Sequence, residues 1–135
     1  MTKMQKLRKQ YIKLQPLWDA FKEAGRRGWS VQSSECPKGP YQEKDEIKIE
    51  LETWSPAGEN IVEYLYLGED NDSIIEQLYK LATNYDADEH AEMWCPFRGT
   101  KGVPSGIREL IDDADEIGKM YWELYETANK ILGDK

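Results

Sequence analysis

The chain has 135 residues, of which 39 % are hydrophobic and 33 % charged, and its net charge is −8. That length is one ordinary domain, able to bury a core without disulfide or metal staples, and five Trp with eight Tyr argue against disorder. No apolar run approaches the roughly 20 residues of a membrane helix, and a chain this acidic is repelled by phosphate backbones, which argues against direct nucleic-acid binding.

Residues 3–24 have the spacing of an amphipathic helix, with Leu7, Tyr11, Leu14, Trp18 and Phe21 on one face and Lys6, Lys9, Lys13 and Lys22 mostly off it. Pro16 interrupts the pattern and should kink the helix or split it, with a second start near Leu17. Gly25 and Gly28 end it. Residues 29–35 alternate weakly, and the turn-rich CPKGPYQEKD follows. Glu46–Trp54 is the clearest strand: Ile47, Ile49, Leu51 and Thr53 face one way, and Glu46, Lys48, Glu50 and Glu52 the other. SPAGEN makes a turn into a β-branched and aromatic run at residues 61–67, which should pair with the preceding strand as an antiparallel hairpin. The outer face of that sheet would be acidic, with helices covering the other side only.

A helix starting at Asp72 or Ser73 runs to about Asn84, burying Ile74, Ile75, Leu78, Leu81 and Ala82. A short helix at Ala87–Trp94 and a glycine-punctuated loop lead to a long helix over residues 105–132. Its apolar side would hold Ile107, Leu110, Ile111, Ala114, Ile117, Tyr121, Leu124, Ala128, Ile131 and Leu132. The order α-β-β-β-α-α-α is a single α+β domain: a basic N-terminal helical part (residues 1–28), a three-stranded antiparallel sheet (29–67) and two or three further helices (72–132). Its opening matches double-stranded RNA-binding domains, but their final helix is basic. Here that region has Glu69, Asp70, Asp72 and Glu76 against Lys80, which excludes the reading.

Charge is unevenly spread. Residues 1–44 carry ten Lys or Arg and four Asp or Glu, net +6; residues 45–135 carry eight and twenty-two, net −14. The acidic part suits a basic surface on another protein. Its candidate contacts are Glu46, Glu50 and Glu52 on the sheet and Asp112, Asp113 and Glu116 on the last helix. On the simpler alternative these acids are solvated faces that serve solubility. The basic start lacks the apolar stretch of a secretory signal, and Cys36 and Cys95 form no CxxC pair, so a reduced cytoplasmic protein is expected.

Reactive residue types concentrate in residues 86–105, which contain the single histidine of the chain. Asp86, His90 and Cys95 are metal-ligand types, and Asp86 with His90 are one helical turn apart, but a structural zinc needs four ligands. The same residues are explained by a capping box at Asp86 and Glu89 with His90 and Trp94 packed on one face. No cofactor is called for. Arg98 and Lys101, in a glycine-rich loop before a helix start, suit an anion, although no phosphate-loop motif is present. Asp70-Asn71-Asp72 fails as a calcium loop, since Ile75 stands at the turn glycine and Leu81 at the final carboxylate.

The segment DADEHAEMW with GVPSGIRELIDDAD after it resembles a group of small acidic proteins found on phages, plasmids and integrated elements of gut Firmicutes. The resemblance runs from the hairpin through the last helix and leaves out the basic first helix and the CPKGP loop. It implies an accessory protein of a mobile element, of the kind that binds another protein to block host defence or regulate transfer. Two functions follow. One is a non-enzymatic inhibitor of a nucleic-acid-processing defence enzyme, of anti-restriction or anti-CRISPR type. The alternative is a small metal- or ligand-binding enzyme centred on His90 and Cys95.

Overall fold

The computed structural model describes residues 2–68 and 71–133. Along the chain they form α1 (Lys3–Lys13), α2 (Gln15–Glu23), β1 (Ser30–Cys36), β2 (Glu46–Trp54), β3 (Asn60–Tyr66), α3 (Asp72–Asn84), α4 (Ala87–Trp94), a 3₁₀ turn at Cys95–Phe97 and α5 (Ile107–Leu132). Glu69 and Asp70, which weighed against RNA binding and the second of which opened the rejected calcium loop, lie outside the described residues.

The N-terminal amphipathic pattern folds as two helices. Pro16, in the first turn of α2, has no N–H to continue α1, so the chain breaks at Leu14 and restarts. Met4, Leu7, Leu14, Leu17, Trp18 and Phe21 are buried, and the Trp18 indole donates to the Tyr11 carbonyl across the break at 2.9 Å. Thr2 and Gln5 form a reciprocal capping box at the start of α1. Arg8 grips Glu35 of β1 through Nε and Nη2 at 2.6 and 2.7 Å, so the basic helix packs in cis against its own sheet.

The sheet is an antiparallel meander in the order β1-β2-β3. The alternation of β2 is realised in full: Ile47, Ile49, Leu51 and Thr53 are buried. Ile61 and Leu65 of β3, with Leu67 just beyond it, join them in one core with α1, α2, α3 and α5. Among the described residues no helix covers the other face, whose side chains are intermediate or exposed. There Lys48 stands opposite Tyr66, Glu50 opposite Tyr64 and Gln32, and Glu52 opposite Val62 and Ser30. β1 is an edge strand whose residues are mostly exposed, which is why its sequence pattern is faint. The far edge is partly closed by Gln77 of α3, whose amide exchanges two 2.8 Å hydrogen bonds with the Tyr66 backbone, as a neighbouring strand would.

Three expectations about the helices change. The cap residue of α3 is Asn71, without a side-chain bond, and Asp72 lies in the first turn instead. Asp86 caps α4 by accepting the Glu89 N–H at 3.1 Å, the first half of the expected box. The α5 stripe is rotated: Met120 and Asp113 are buried, whereas Ile107 and Ile111 are 53 % and 42 % exposed. A second small core of Ala91, Val103, Leu110 and Ala114 joins α4, the loop and α5.

Candidate functional site

The helix-free face of the sheet gathers most of the predicted contact residues. Glu46, Glu50 and Glu52 project from β2 and are partly exposed. Glu46 accepts from Gln42 Nε2 and Glu52 from Asn60 Nδ2, each at 2.8 Å, so two of the three carboxylates are held in place. Aromatic side chains interleave with them. Trp54, Tyr64 and Tyr66 are 42, 44 and 45 % exposed, and Lys48 Nζ lies 4.7 Å from the centre of the Tyr64 ring. The sequence reading found the acids and missed these aromatics. Their signal was present, because Val62, Tyr64 and Tyr66 alternate with Ile61 and Leu65.

The acids of α5 are elsewhere and are used differently. Asp113 is buried and accepts the Ala57 N–H of the β2–β3 turn at 2.8 Å, so it is a structural group rather than a surface contact. Glu116 binds Lys119 at 3.1 Å. Asp112 is exposed. Together with Glu109 and Arg26 these residues line a shallow cleft at the hairpin turn. The acids of the sheet and those of α5 thus have different surroundings, and Arg26 tempers the second group.

His90 has a partner that sequence did not suggest. Its Nε2 meets Glu59 Oε1 at 2.8 Å, with both side chains largely enclosed. The imidazole packs on Tyr85 and Trp94, with ring centres 5.4 and 6.4 Å apart. Tyr85 donates to the Ala114 carbonyl and packs on Tyr121, whose hydroxyl donates to Glu63. Burial, first of all, raises both tyrosines above the ordinary phenol range. The Glu63 hydrogen bond adds to it for Tyr121, and the charge of Glu59 adds to it for Tyr85. Trp94 Nε1 is enclosed with no acceptor among the described residues.

The metal-ligand set of the alternative reading does not assemble. Asp86 is committed to the α4 cap and His90 to Glu59. Cys95 lines a different hollow, between α4 and α5, with Asp88, Ala91, Glu92, Ile107, Leu110 and Ile111. Among the described residues, no three His, Cys, Asp or Glu side chains are placed to hold a metal ion. Arg98 and Lys101 share no common contact among the described residues. Arg98 Nε donates to the Cys95 carbonyl at 3.1 Å, Lys101 is exposed, and the Glu109 carboxylate folds over Gly106 at the start of α5.

Beside the Tyr121–Glu63 pair, a cleft of about 410 Å³ opens along the β3 edge, lined by Glu63, Tyr64, Tyr66, Gln77, Lys80, Leu81, Asn84, Tyr85 and Tyr121. Glu63 carried a readable signal: it is a charged residue at the inward position between Ile61 and Leu65. Tyr85 and Glu59 carried none, since both sit just outside regular elements and meet their partners across long sequence separations. Comparison with protein-family models, curated protein sequences and solved structures yields no match.

Proposed function

We propose that this is a non-enzymatic interaction protein of a mobile genetic element, acting in the cytoplasm. It inhibits a nucleic-acid-processing defence enzyme, of restriction or CRISPR type, by laying the helix-free face of its sheet on that enzyme's basic surface. One observation carries the reading: Glu46, Glu50 and Glu52 share an uncovered face with exposed Trp54, Tyr64 and Tyr66. Aromatic side chains are enriched at protein interfaces, and surrounding carboxylates steer and orient a cationic partner. The resemblance of residues 86–94 and 102–115 to mobile-element proteins supports the setting. An enzyme centred jointly on His90 and Cys95 has less support, because the two side chains serve different parts of the fold.

The test is DNA cleavage by a panel of purified restriction endonucleases and CRISPR effectors, with and without the protein, at rising salt. Inhibition of a panel member that weakens with salt and is lost in the triple variant Glu46→Gln/Glu50→Gln/Glu52→Gln is expected. The pair Asp112→Asn/Glu116→Gln should inhibit normally. A triple variant as potent as the parent would sink the electrostatic reading, and inhibition of no enzyme in the panel would sink the role.

A further inference from the structure

We infer that the cleft along the β3 edge is a binding site for an alkylammonium group, held against Glu63 and the rings of Tyr64, Tyr66, Tyr85 and Tyr121. Four tyrosines and a carboxylate line one opening of about 410 Å³, a size that suits a small ligand. Aromatic faces attract cations through their quadrupole, most strongly where water is partly excluded, and a carboxylate among them adds a net charge for the cation to neutralise.

Three features of the cleft favour a cation over any other guest. First, Glu63 has a hydrogen-bond donor in Tyr121 but no cationic partner among the described residues. Lys80 lies on the rim, and its ammonium is turned to Glu76 at 3.8 Å. Second, the sheet already uses one of these rings in this way, since Lys48 Nζ stands over Tyr64. Third, the Glu63 carboxylate stands on the wall of the cleft beside Tyr121, so the local field there is negative. An anionic guest would meet that field unfavourably, and a neutral one would leave Glu63 uncompensated.

The amides of Gln77 and Asn84 border the opening. Gln77 is spent on the Tyr66 backbone, which ties the β3 edge to α3. The ammonium group has two sources, a free amine or the lysine side chain of a peptide. The site does not depend on the sheet face binding a defence enzyme.

The probes are tetramethylammonium, n-butylammonium, a lysine-containing peptide, and tert-butanol as a neutral control, each titrated into the full chain and followed by amide chemical shifts in NMR spectra. Saturable shifts at Tyr64, Tyr66, Gln77, Asn84 and Tyr121 with the cations, and none with tert-butanol, are expected. Glu63→Gln should weaken cation binding about tenfold, the loss of roughly one charge-assisted contact. Tyr66→Leu should do the same from the other wall and keeps a test available should Glu63→Gln fold poorly. Peptide binding tighter than that of either free amine assigns the lysine source; equal or weaker binding assigns the free amine. Absence of shifts at these residues with every cation, or equal shifts with tert-butanol, overturns the inference. Glu63, which faces away from Glu46, Glu50 and Glu52, keeps the two results separate: Glu63→Gln should leave any inhibition of a defence enzyme by the sheet face unchanged.

Discussion

Replacing Asp113 by alanine removes the charged acceptor that ties the Ala57 N–H of the exposed β2–β3 turn to the buried side of α5. A hydrogen bond to a charged group contributes about 1.5–3 kcal/mol, and its loss here should fall at the lower end because water reaches the turn. Asp112→Ala, one residue earlier and exposed, should stay within about 0.5 kcal/mol of the parent. Urea denaturation of the two variants measures the difference directly, and equal effects would mean that Asp113 is no anchor. The spacing on α5 contained this result: Asp113 is three residues after Leu110 and four before Ile117, on the core stripe. Runs of acids read as solvated faces unless each is placed on its helix separately. A second residue-scale prediction concerns Tyr121 and Tyr85. Both folded-state pKa values lie above the unfolded value near 10, so the folded state holds more protons than the unfolded chain once the pH exceeds about 10. Stability is therefore at full strength below that pH and falls as it rises further. Tyr121→Phe should flatten the alkaline loss seen in thermal melts between about pH 9 and 11.

At the level of elements, the loop before α5 is pressed onto the β2–β3 turn at one glycine. Gly102 has φ near +79°, and a Cβ there would stand 3.1 Å from the Gly58 carbonyl oxygen and 3.3 Å from the Glu59 backbone. Backbone strain and close approach both oppose a side chain, so Gly102→Ala should destabilise by about 1–3 kcal/mol. Gly39→Ala, in open surroundings at ordinary φ, should not. Glu59 is also the partner of His90, so Gly102→Ala should in addition move the His90 ring signals in NMR spectra; unchanged signals and unchanged stability would refute the coupling. This junction marks the limit of what the sequence makes legible. Period-two alternation in β2 and the proline break between α1 and α2 were readable because each depends on neighbours along the chain. His90 with Glu59 was not, for the two residues are 31 positions apart and belong to no common period. The acids and the histidine were visible as residue types; which of them meet was decided by the docking of a loop on a turn.

For the molecule as a whole, the uneven charge has a consequence for stability. The net +6 of residues 1–44 is not a free basic arm, since α1 packs on the sheet and Arg8 holds Glu35, while Arg26 lies at the cleft with Asp112 and Glu116. The +6 offsets part of the −14 carried by residues 45–135 and −8 remains; the Arg8–Glu35 pair lies wholly within the basic part, whereas Arg26 faces acids of the other. Two effects of salt then compete. Screening weakens exposed ion pairs such as Arg8–Glu35 and Lys119–Glu116, which contribute little in water. Screening also relieves the repulsion among the surplus carboxylates, most of which form no ion pair among the described residues. Few exposed pairs are set against many unpaired acids, so repulsion should win. Raising sodium chloride from about 0.02 to 0.3 M, which shortens the screening length from roughly 20 Å to under 10 Å, should increase the midpoint of urea unfolding. The Glu46→Gln/Glu50→Gln/Glu52→Gln variant, with three fewer negative charges on one face, should be more stable than the parent at low salt, and the gap should close at high salt. A midpoint that falls with salt would show that the ion pairs outweigh the repulsion. It would also recast the acidic sheet face as a part of the fold's own charge balance, leaving less of it available to a partner.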